Sequence, residues 1–392
     1  MVLASAGVVK AQLSRAAGPI TGGQRLRCMP GEVGYIDQSA TRTESSMRST
    51  IRDVARVAGV SAKTVSNVIN DHPHVRTEVR DRVRSAITEV GYRPNLSARG
   101  LRSGRTGVIG LAVPALRENY FAELADAVIR AAEKRRLSVL VGQTNGDRLK
   151  ELDVVKGTLL QGTDGVLLSP VRLGQGDVDA LNVPLPLVLL GERIFGGPTD
   201  HVTMHNVSSA RAAVEHLIAR GRTRIALIGA PQQSDSKQGG QEPSSASLRL
   251  HGYRQALEAA GITEAPELIC ATGPWGREAG AAAVRRLIAG RVPFDAVFAL
   301  NDTLGLGVLR ALGEAGTRVP DEVAVIGFDN IDETRFSVPS LSSVDPGRES
   351  IAEMAVEMLV ERIRETGERR PPRLAKPDFH IVTRESSGAL PD

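Results

Sequence analysis

Residues 61–67 combine a lysine, an asparagine and short side chains at helical spacing. On a helix, Lys63 and Asn67 lie one turn apart on the same face, with Ala62 and Ser66 beside them. A lysine donates to guanine edges, an asparagine pairs with adenine, and an alanine methyl group contacts the thymine methyl group. These residues are therefore candidates for reading base edges in the DNA major groove.

Hydroxyl groups and positive charge in the same region indicate contacts with phosphate. Ser61, Thr64 and Ser66 carry short hydroxyls of the kind that bind the DNA backbone, and Ser61 can also cap the start of the helix. Between Met47 and Arg105, twelve arginines and lysines are opposed by only five acidic residues, although the net charge of the whole chain is +4. A polyanion partner is expected for this segment alone.

A second set of polar residues follows predicted strands in the C-terminal half of the chain. Asn301 comes just after the apolar run 296–299, and Asp329 comes just after the run 323–326. Ligand pockets in open α/β folds lie at the carboxyl ends of parallel strands. An amide and a carboxylate at two such ends predict a small-molecule site.

Two kinds of periodicity divide the chain into an all-α head and an α/β core. Three short amphipathic helices are predicted over 51–58, from Ser61 onward, and over about 77–90. Beyond a linker at 103–106, apolar runs alternate with Ala-rich helical stretches, which is typical of two doubly wound parallel-sheet lobes. The predicted strands are 108–113, 138–141, 165–168, 187–190, 224–228, 296–299 and 323–326. The predicted helices of the core are 121–135, 209–220, 250–260, 277–289, 302–315 and 350–365.

Residues 50–106 carry an ordered set of motifs. A helix and a turn at Gly59 precede Val-Ser-x-x-Thr-Val-Ser-x-Val-Ile-Asn, and Gly-Tyr-x-Pro-Asn follows. This combination resembles the DNA-binding head of the lac/galactose repressor family. The resemblance implies that Ala62, Lys63 and Asn67 are the main base readers.

The same resemblance implies a hinge helix over 94–101. Asn95 would begin this helix, Ala98 would pack beside its partner, and Leu101 would wedge between base pairs in the minor groove. Gly100, often a serine in relatives, lowers helix propensity by about 1 kcal/mol. Folding of the hinge is therefore expected to depend on DNA.

Residues 106–388 resemble the periplasmic-binding-protein-like core of that family. The resemblance implies effector contacts from Arg249, Trp275, Asn301 and Asp329, with Tyr120 and Phe121 at the pocket mouth. The guanidinium of Arg249 donates hydrogen bonds, the indole of Trp275 offers a flat apolar face, and the amide of Asn301 and the carboxylate of Asp329 complete the polar groups. Such a set suits a polyhydroxylated ring, so a sugar is expected. Each residue also has a structural interpretation: a turn or cap for Asn301 and Asp329, a surface ion pair for Arg249, and core packing for the aromatic residues. His205 and Pro114 depart from the family pattern and leave the effector's identity open.

The expected domain organisation follows from these patterns. It comprises a disordered extension (1–46), a helix-turn-helix domain (47–92), a hinge and linker (93–105), an effector-binding and dimerisation core (106–388) and a tail (389–392). Translation from Met47 is the alternative to a real extension. No leucine heptad tail follows Gly388, so a dimer is expected rather than a tetramer.

The predicted protein is a cytoplasmic, nucleoid-associated regulator that binds a pseudo-palindromic operator as a homodimer. No apolar run is long enough to span a membrane, and no Walker, dinucleotide-binding or catalytic motif is present, so neither an enzyme nor a cofactor is expected. The pairs His72/His74 and His201/His205 have no further ligands nearby, and no metal is expected. Two alternatives stay open: a regulator whose signal is a nucleobase or a partner protein, and a sugar-binding transport protein, which should have a signal peptide and no head.

Overall fold

The computed structural model describes residues 49–69, 71–92, 105–231 and 243–388. The chain divides between Arg93 and Pro94 into two compact units, here called the head and the core. Three predictions lie outside the described residues: the extension 1–46, the tail 389–392, and the hinge helix. The hinge residues concerned are Asn95, Ala98 and Leu101.

The described part of the head contains three helices, α1 (Ile51–Ala58), α2 (Ala62–Ile69) and α3 (Thr77–Glu89), as the periodicity predicted. Thr50 caps the start of helix α1, and its backbone N–H donates to the Asp53 carboxylate at 2.9 Å. It ends at Gly59, where a φ of +64° requires the left-handed conformation that glycine adopts without strain. The turn between α1 and α2 is therefore fixed by local chemistry.

A small apolar core holds the three head helices together. Each helix contributes valine or alanine side chains that are almost completely buried, and Val54, Val65 and Val83 have no solvent exposure. The opposite side of α2 is open, because Ala62 and Lys63 at its start are exposed. Burial of one face of α2 thus determines which side chains it presents to a partner.

The core contains twelve strands in its described part. They are β1 (Val108–Val113), β2 (Ser138–Gln143), β3 (Val166–Leu168), β4 (Leu187–Leu190), β5 (Asp200–Val202), β6 (Ile225–Ala230), β7 (Ile269–Ala271), β8 (Ala296–Ala299), β9 (Ala324–Phe328), β10 (Ser342–Asp345), β11 (Leu374–Ala375) and β12 (His380–Val382). They form two six-stranded sheets, with orders β11-β5-β4-β3-β1-β2 and β12-β10-β9-β8-β6-β7. Every pairing is parallel except β10 with β12.

Among residues 105–231 and 243–388, seven α-helices cover the two sheets. They are α4 (Asn119–Glu133), α5 (Arg148–Val155), α6 (Asn206–Ile218), α7 (Ser245–Ala259), α8 (Arg277–Ala289), α9 (Asp302–Glu314) and α10 (Arg348–Arg364). The first sheet with α4, α5 and α10 forms lobe 1, and the second sheet with α6, α7, α8 and α9 forms lobe 2. The predicted fold class of an all-α head and two parallel-sheet lobes is confirmed.

The chain passes between the lobes three times, after β5, after β10 and after β11. Helix α10 therefore belongs to lobe 1, although it follows a strand of lobe 2. At its C-terminal end the Ile363 carbonyl accepts a hydrogen bond from the Arg105 guanidinium at 2.8 Å. Arg105 is the first described residue of the core unit, at the end of the linker, so α10 is hydrogen-bonded to the place where the linker joins the core.

Candidate functional site

A cavity of about 1030 Å³ lies in the core and is lined by residues of both lobes. All six side chains predicted for an effector site line it, although the sequence separates them by up to 209 positions. They are Tyr120, Phe121, Arg249, Trp275, Asn301 and Asp329. The structure thus brings the whole predicted set together in one place.

Arg249 is the most constrained of these side chains. It lies on α7 with 3% exposure, and its Nε donates to Asn206 Oδ1 at 2.8 Å. Its Nη1 donates to the Leu300 carbonyl, and its guanidinium lies 3.4 Å from the centre of the Phe328 ring. Packing and hydrogen bonds hold this cation in one orientation before any ligand arrives.

Asp329 provides the negative charge opposite Arg249. Its Oδ1 lies 3.6 Å from Arg249 Nη2, and its backbone has a φ of +106°, which is unusual for a residue other than glycine. Burial raises the pKa of Asp329 to about 7, although the positive charges of Arg249 and Arg348 lower it. A strained, buried carboxyl group with few protein partners is the kind of group that a ligand's hydroxyl donors can satisfy.

A second carboxyl group, Asp302, lies behind Asp329 with no solvent exposure. Its Oδ1 accepts from Ser343 Oγ at 2.6 Å and its Oδ2 from the Ile331 N–H at 2.9 Å. Burial and then the nearby Asp329 charge raise the pKa of Asp302 well above its usual value. Because Asp302 does not line the cavity, we assign it to holding the loop that carries Asp329.

Trp275 and Asn301 occupy the lobe 2 side of the cavity. The half-buried Trp275 donates from Nε1 to the Gly229 carbonyl at 3.2 Å, which fixes its ring. Asn301 caps α9 by accepting the Leu304 N–H at 2.8 Å. The structural interpretation as a helix cap and the position in the cavity therefore hold together for Asn301.

Tyr120 and Phe121 lie at the start of α4 in lobe 1, with their rings in edge-to-face contact at 5.3 Å. Burial raises the pKa of the Tyr120 hydroxyl, and the charges of Asp329 and Glu192 raise it further. The hydroxyl is therefore neutral and able to donate to a ligand.

Sequence reasoning missed Glu192, which is 8% exposed and lines the cavity from lobe 1. Its Oε2 accepts from Ser245 Oγ of lobe 2 at 2.7 Å. The signal was present, because Glu192 follows β4 just as Asp329 follows β9. Gln143 at the end of β2, and Asn145 and Arg172 after lobe 1 strands, also line the cavity and were missed.

In the head, the predicted DNA-contacting residues lie together on and before α2. The Thr64 N–H donates to Ser61 Oγ at 3.0 Å, and the two hydroxyls are 2.9 Å apart, so Ser61 caps α2 as predicted. Lys63 and Ala62 are exposed, whereas Ser66 and Asn67 are half-buried. This arrangement leaves an amine at the N-terminal end of the helix where a groove-reading side chain would be needed.

The described residues contain neither a metal-binding cluster nor a membrane-spanning helix. No group of three His, Cys, Asp or Glu side chains there converges on a point where a metal ion could bind. None of the helices in those ranges is long and apolar enough to cross a membrane.

Two family models match the chain. Residues 50–95 match the model described as bacterial regulatory proteins, lacI family. Residues 214–387 match the model described as a periplasmic binding protein-like domain.

Individual proteins match over most of their length. The ribose operon repressor of Escherichia coli K12 is 32% identical over 317 residues, which span 80% of this chain and 93% of that protein. A solved structure of a LacI-family regulator from Sanguibacter keddieii is 47% identical, with a TM-score of 0.66 over 73% of this chain and 100% of that one. The complex of the transcriptional regulator CelR with cellobiose is 32% identical, with a TM-score of 0.61 over 86% of this chain and 100% of that one.

Proposed function

The chain belongs to the lacI family of bacterial regulatory proteins, and from that premise we propose how this DNA-binding transcriptional regulator works. A homodimer binds a pseudo-palindromic operator and represses transcription there. A sugar bound in the core cavity changes the operator affinity. The head (47–92) reads DNA, the segment 93–105 links it to the core, and the core (106–388) senses the effector and dimerises.

The observation that carries the effector proposal is the buried Arg249–Asp329 pair beside Trp275. An oriented guanidinium donates to ring and hydroxyl oxygens, and a carboxyl group held in a cavity accepts from hydroxyls. The indole provides an apolar face for the C–H side of a sugar ring. Two of the matching proteins carry ribose or cellobiose in their names, which supports the same class of ligand.

For the head we propose that Lys63, Asn67 and Ala62 contact bases, while Ser61, Thr64 and Ser66 contact phosphates. The exposed start of α2 supports the first assignment, and the concentration of basic residues in this part of the chain supports the second. Asn95, Ala98 and Leu101 are proposed to bind the central minor groove. Because the proposed partner is DNA, we propose that the protein acts in the cytoplasm at the nucleoid.

We propose that the cavity binds its ligand without transforming it. The relatives that match over most of their length are named as repressors and regulators. Tight hydrogen bonding of Arg249 within the protein supports a role in binding and signalling.

The fluorescence of Trp275, the single tryptophan, tests the effector proposal. The full chain is titrated with D-ribose, cellobiose and a panel of other mono- and disaccharides. We expect a saturable change with at least one sugar, lost in Asp329→Asn and kept in Asp321→Asn. Asp321 is a matched control, because its side chain is 71% exposed and does not line the cavity. No response to any sugar, with operator binding intact, would instead favour a nucleobase or a protein partner as the signal.

A further inference from the structure

Two charged residues of lobe 1 contact the loop of lobe 2 that carries Asp329. Glu123 lies on α4 and Arg348 is the first residue of α10. Their side chains form an ion pair, with 2.7 Å between Arg348 Nη2 and Glu123 Oε2. We call this pair the interlobe bridge.

Each member of the interlobe bridge binds the backbone of the loop across the lobe boundary. The Asp332 N–H donates to Glu123 Oε1 at 3.0 Å. Arg348 Nη1 donates to the Asp329 carbonyl at 3.0 Å. The two contacts hold the loop at both ends of residues 329–332 from the opposite lobe.

Side chains of lobe 2 also accept hydrogen bonds from the backbone of this loop. The Ile331 N–H donates to Asp302 Oδ2 at 2.9 Å, and the Asn330 N–H donates to Ser343 Oγ at 3.0 Å. The left-handed backbone of Asp329 is unfavourable by itself, so contacts of this kind are needed to stabilise it. The carbonyl that Arg348 binds belongs to the strained residue itself.

The interlobe bridge differs from a surface ion pair. The side chains of Arg348 and Glu123 are only 17% and 25% exposed, so solvent screens them less than a fully exposed pair. A neighbouring pair, Arg130 with Glu349, joins the same two helices within lobe 1 and is 47% and 65% exposed. The chain thus contains an internal control for the bridge.

We propose that Glu123 and Arg348 are positioning residues for the effector site, which orient the Asp329 carboxyl group from the opposite lobe. The inference rests on the proposed function only in its ligand class. Because the bridge requires the lobes to be in contact, a ligand that needs Asp329 in this position also favours that contact. Effector binding and lobe arrangement are then one equilibrium.

The first experiment needs no ligand. Hydrogen exchange is measured over residues 329–336 in the full chain, for Arg348→Met, Glu123→Gln and the control Glu349→Gln. We expect at least tenfold faster exchange in the first two variants, because Arg348→Met removes the donor to the Asp329 carbonyl and Glu123→Gln replaces the charged acceptor of the Asp332 amide with a weaker, neutral one. Exchange at the wild-type rate in both variants would overturn the proposal.

The second experiment measures affinity by Trp275 fluorescence with D-ribose, cellobiose and any other sugar of the panel that binds the wild type. We expect the dissociation constant to rise at least tenfold in Arg348→Met and Glu123→Gln, to stay within twofold in Glu349→Gln, and to recover partly in Arg348→Lys. The thermal midpoint of every variant is measured beside the affinity, and a variant counts only where it is fully folded at the titration temperature. Faster exchange with unchanged affinity would overturn the positioning role.

The two proposals fail in different ways. If no sugar binds the wild type, the assigned effector class is wrong, and the exchange experiment alone decides whether the bridge holds the Asp329 loop. If a sugar binds and Asp329→Asn abolishes binding, but the bridge variants bind as the wild type does, the effector site stands and the bridge proposal is wrong.

Discussion

At the scale of single residues, the cavity depends on a carboxyl group that burial disfavours in its charged form. The folded protein holds the proton of Asp329 up to a pKa of about 7, whereas an unfolded aspartate loses it near pH 4. The folded state therefore binds more protons than the unfolded state between these values. The contribution of Asp329 to stability is present at low pH and is lost as the pH rises through this window.

We predict that Asp329→Asn gains stability over the wild type as the pH rises from 5 to 8 without ligand. Asparagine does not titrate, so only the wild type loses the free energy of ionisation, about 1.4 kcal/mol for each unit of pKa shift and about 3 kcal/mol across this range. Urea unfolding at both pH values measures the difference. A difference that is the same at pH 5 and pH 8, or that Asp321→Asn reproduces, would contradict the assignment.

Lys63 carries the corresponding prediction in the head. We expect Lys63→Ala to lose about 1–3 kcal/mol of operator affinity, as a base contact does, with a smaller loss on random DNA. Lys156→Ala, which removes an exposed lysine of lobe 1, provides the control. Filter binding or anisotropy with a selected operator and a scrambled duplex measures both. Equal losses on the two duplexes would make Lys63 a phosphate contact instead.

Some residues of the cavity and its surroundings could be predicted from the sequence, and others could not. Asn301 and Asp329 follow buried strands, and this position together with the family resemblance identified them. Glu192 follows β4 in the same way but was overlooked, because no motif drew attention to it. Glu123 and Arg348 could not be found, since their contacts join positions 209 and 19 residues away from the loop residues they bind.

At the scale of elements, α8 and α9 pack so closely that glycine is required between them. A Cβ added at Gly307 would lie 1.9 Å from the Arg277 carbonyl oxygen, and one at Gly280 would lie 2.2 Å from the Leu304 carbonyl oxygen. Backbone atoms cannot move aside as a flexible side chain can. These two glycines set the separation of the helices that begin at the Trp275 and Asn301 side of the cavity.

We predict that Gly307→Ala destabilises the protein by about 1–3 kcal/mol or more, because overpacking must push the two helices apart. Gly313→Ala on the same helix has no neighbour within 4 Å of the added Cβ and should stabilise the protein by about 0.5–1 kcal/mol through helix propensity. Urea denaturation of both variants measures the contrast. Similar stabilities would show that the helices can separate without cost.

Most of the strands that sequence patterns predicted are continuously buried apolar runs, and the partly exposed β2 is the exception. Strands β1, β6 and β8 are apolar runs buried on both faces, as parallel strands are. The prediction missed β5, β7, β10, β11, β12 and α5. Strand β10 contains two buried serines, Ser342 and Ser343, whose hydroxyls are satisfied by distant partners, so tertiary contacts rather than local pattern make it a strand.

At the scale of the whole molecule, the chain crosses from one lobe to the other three times, so neither lobe is one continuous stretch of sequence. A ligand that changes the arrangement of the lobes therefore acts on all three connecting segments at once. The alternation of strands and helices predicted two lobes correctly, but it could not show that α10 and β11 return to lobe 1. That return is what places Arg348 opposite Asp329.

We predict that the full chain sediments as a dimer, with twice the 41.7 kDa mass of one chain, at micromolar concentration. A pseudo-palindromic operator presents two half-sites, and two heads must be joined to read both. Sedimentation velocity with and without operator DNA measures the species. A monomer bound to a single half-site, or a tetramer, would contradict the prediction.

Helix α10 connects the effector site with the place where the linker joins the core. It runs for 17 residues from Arg348 to Arg364, a rod of about 25 Å, with the Asp329 loop at one end and the Arg105 contact at the other. Pivoting such a rod by about 5° at its Arg348 end displaces the far end by roughly 2 Å. The helix is then a lever arm, in which a small angular change at the effector loop becomes a translation at the residue where the linker enters the core.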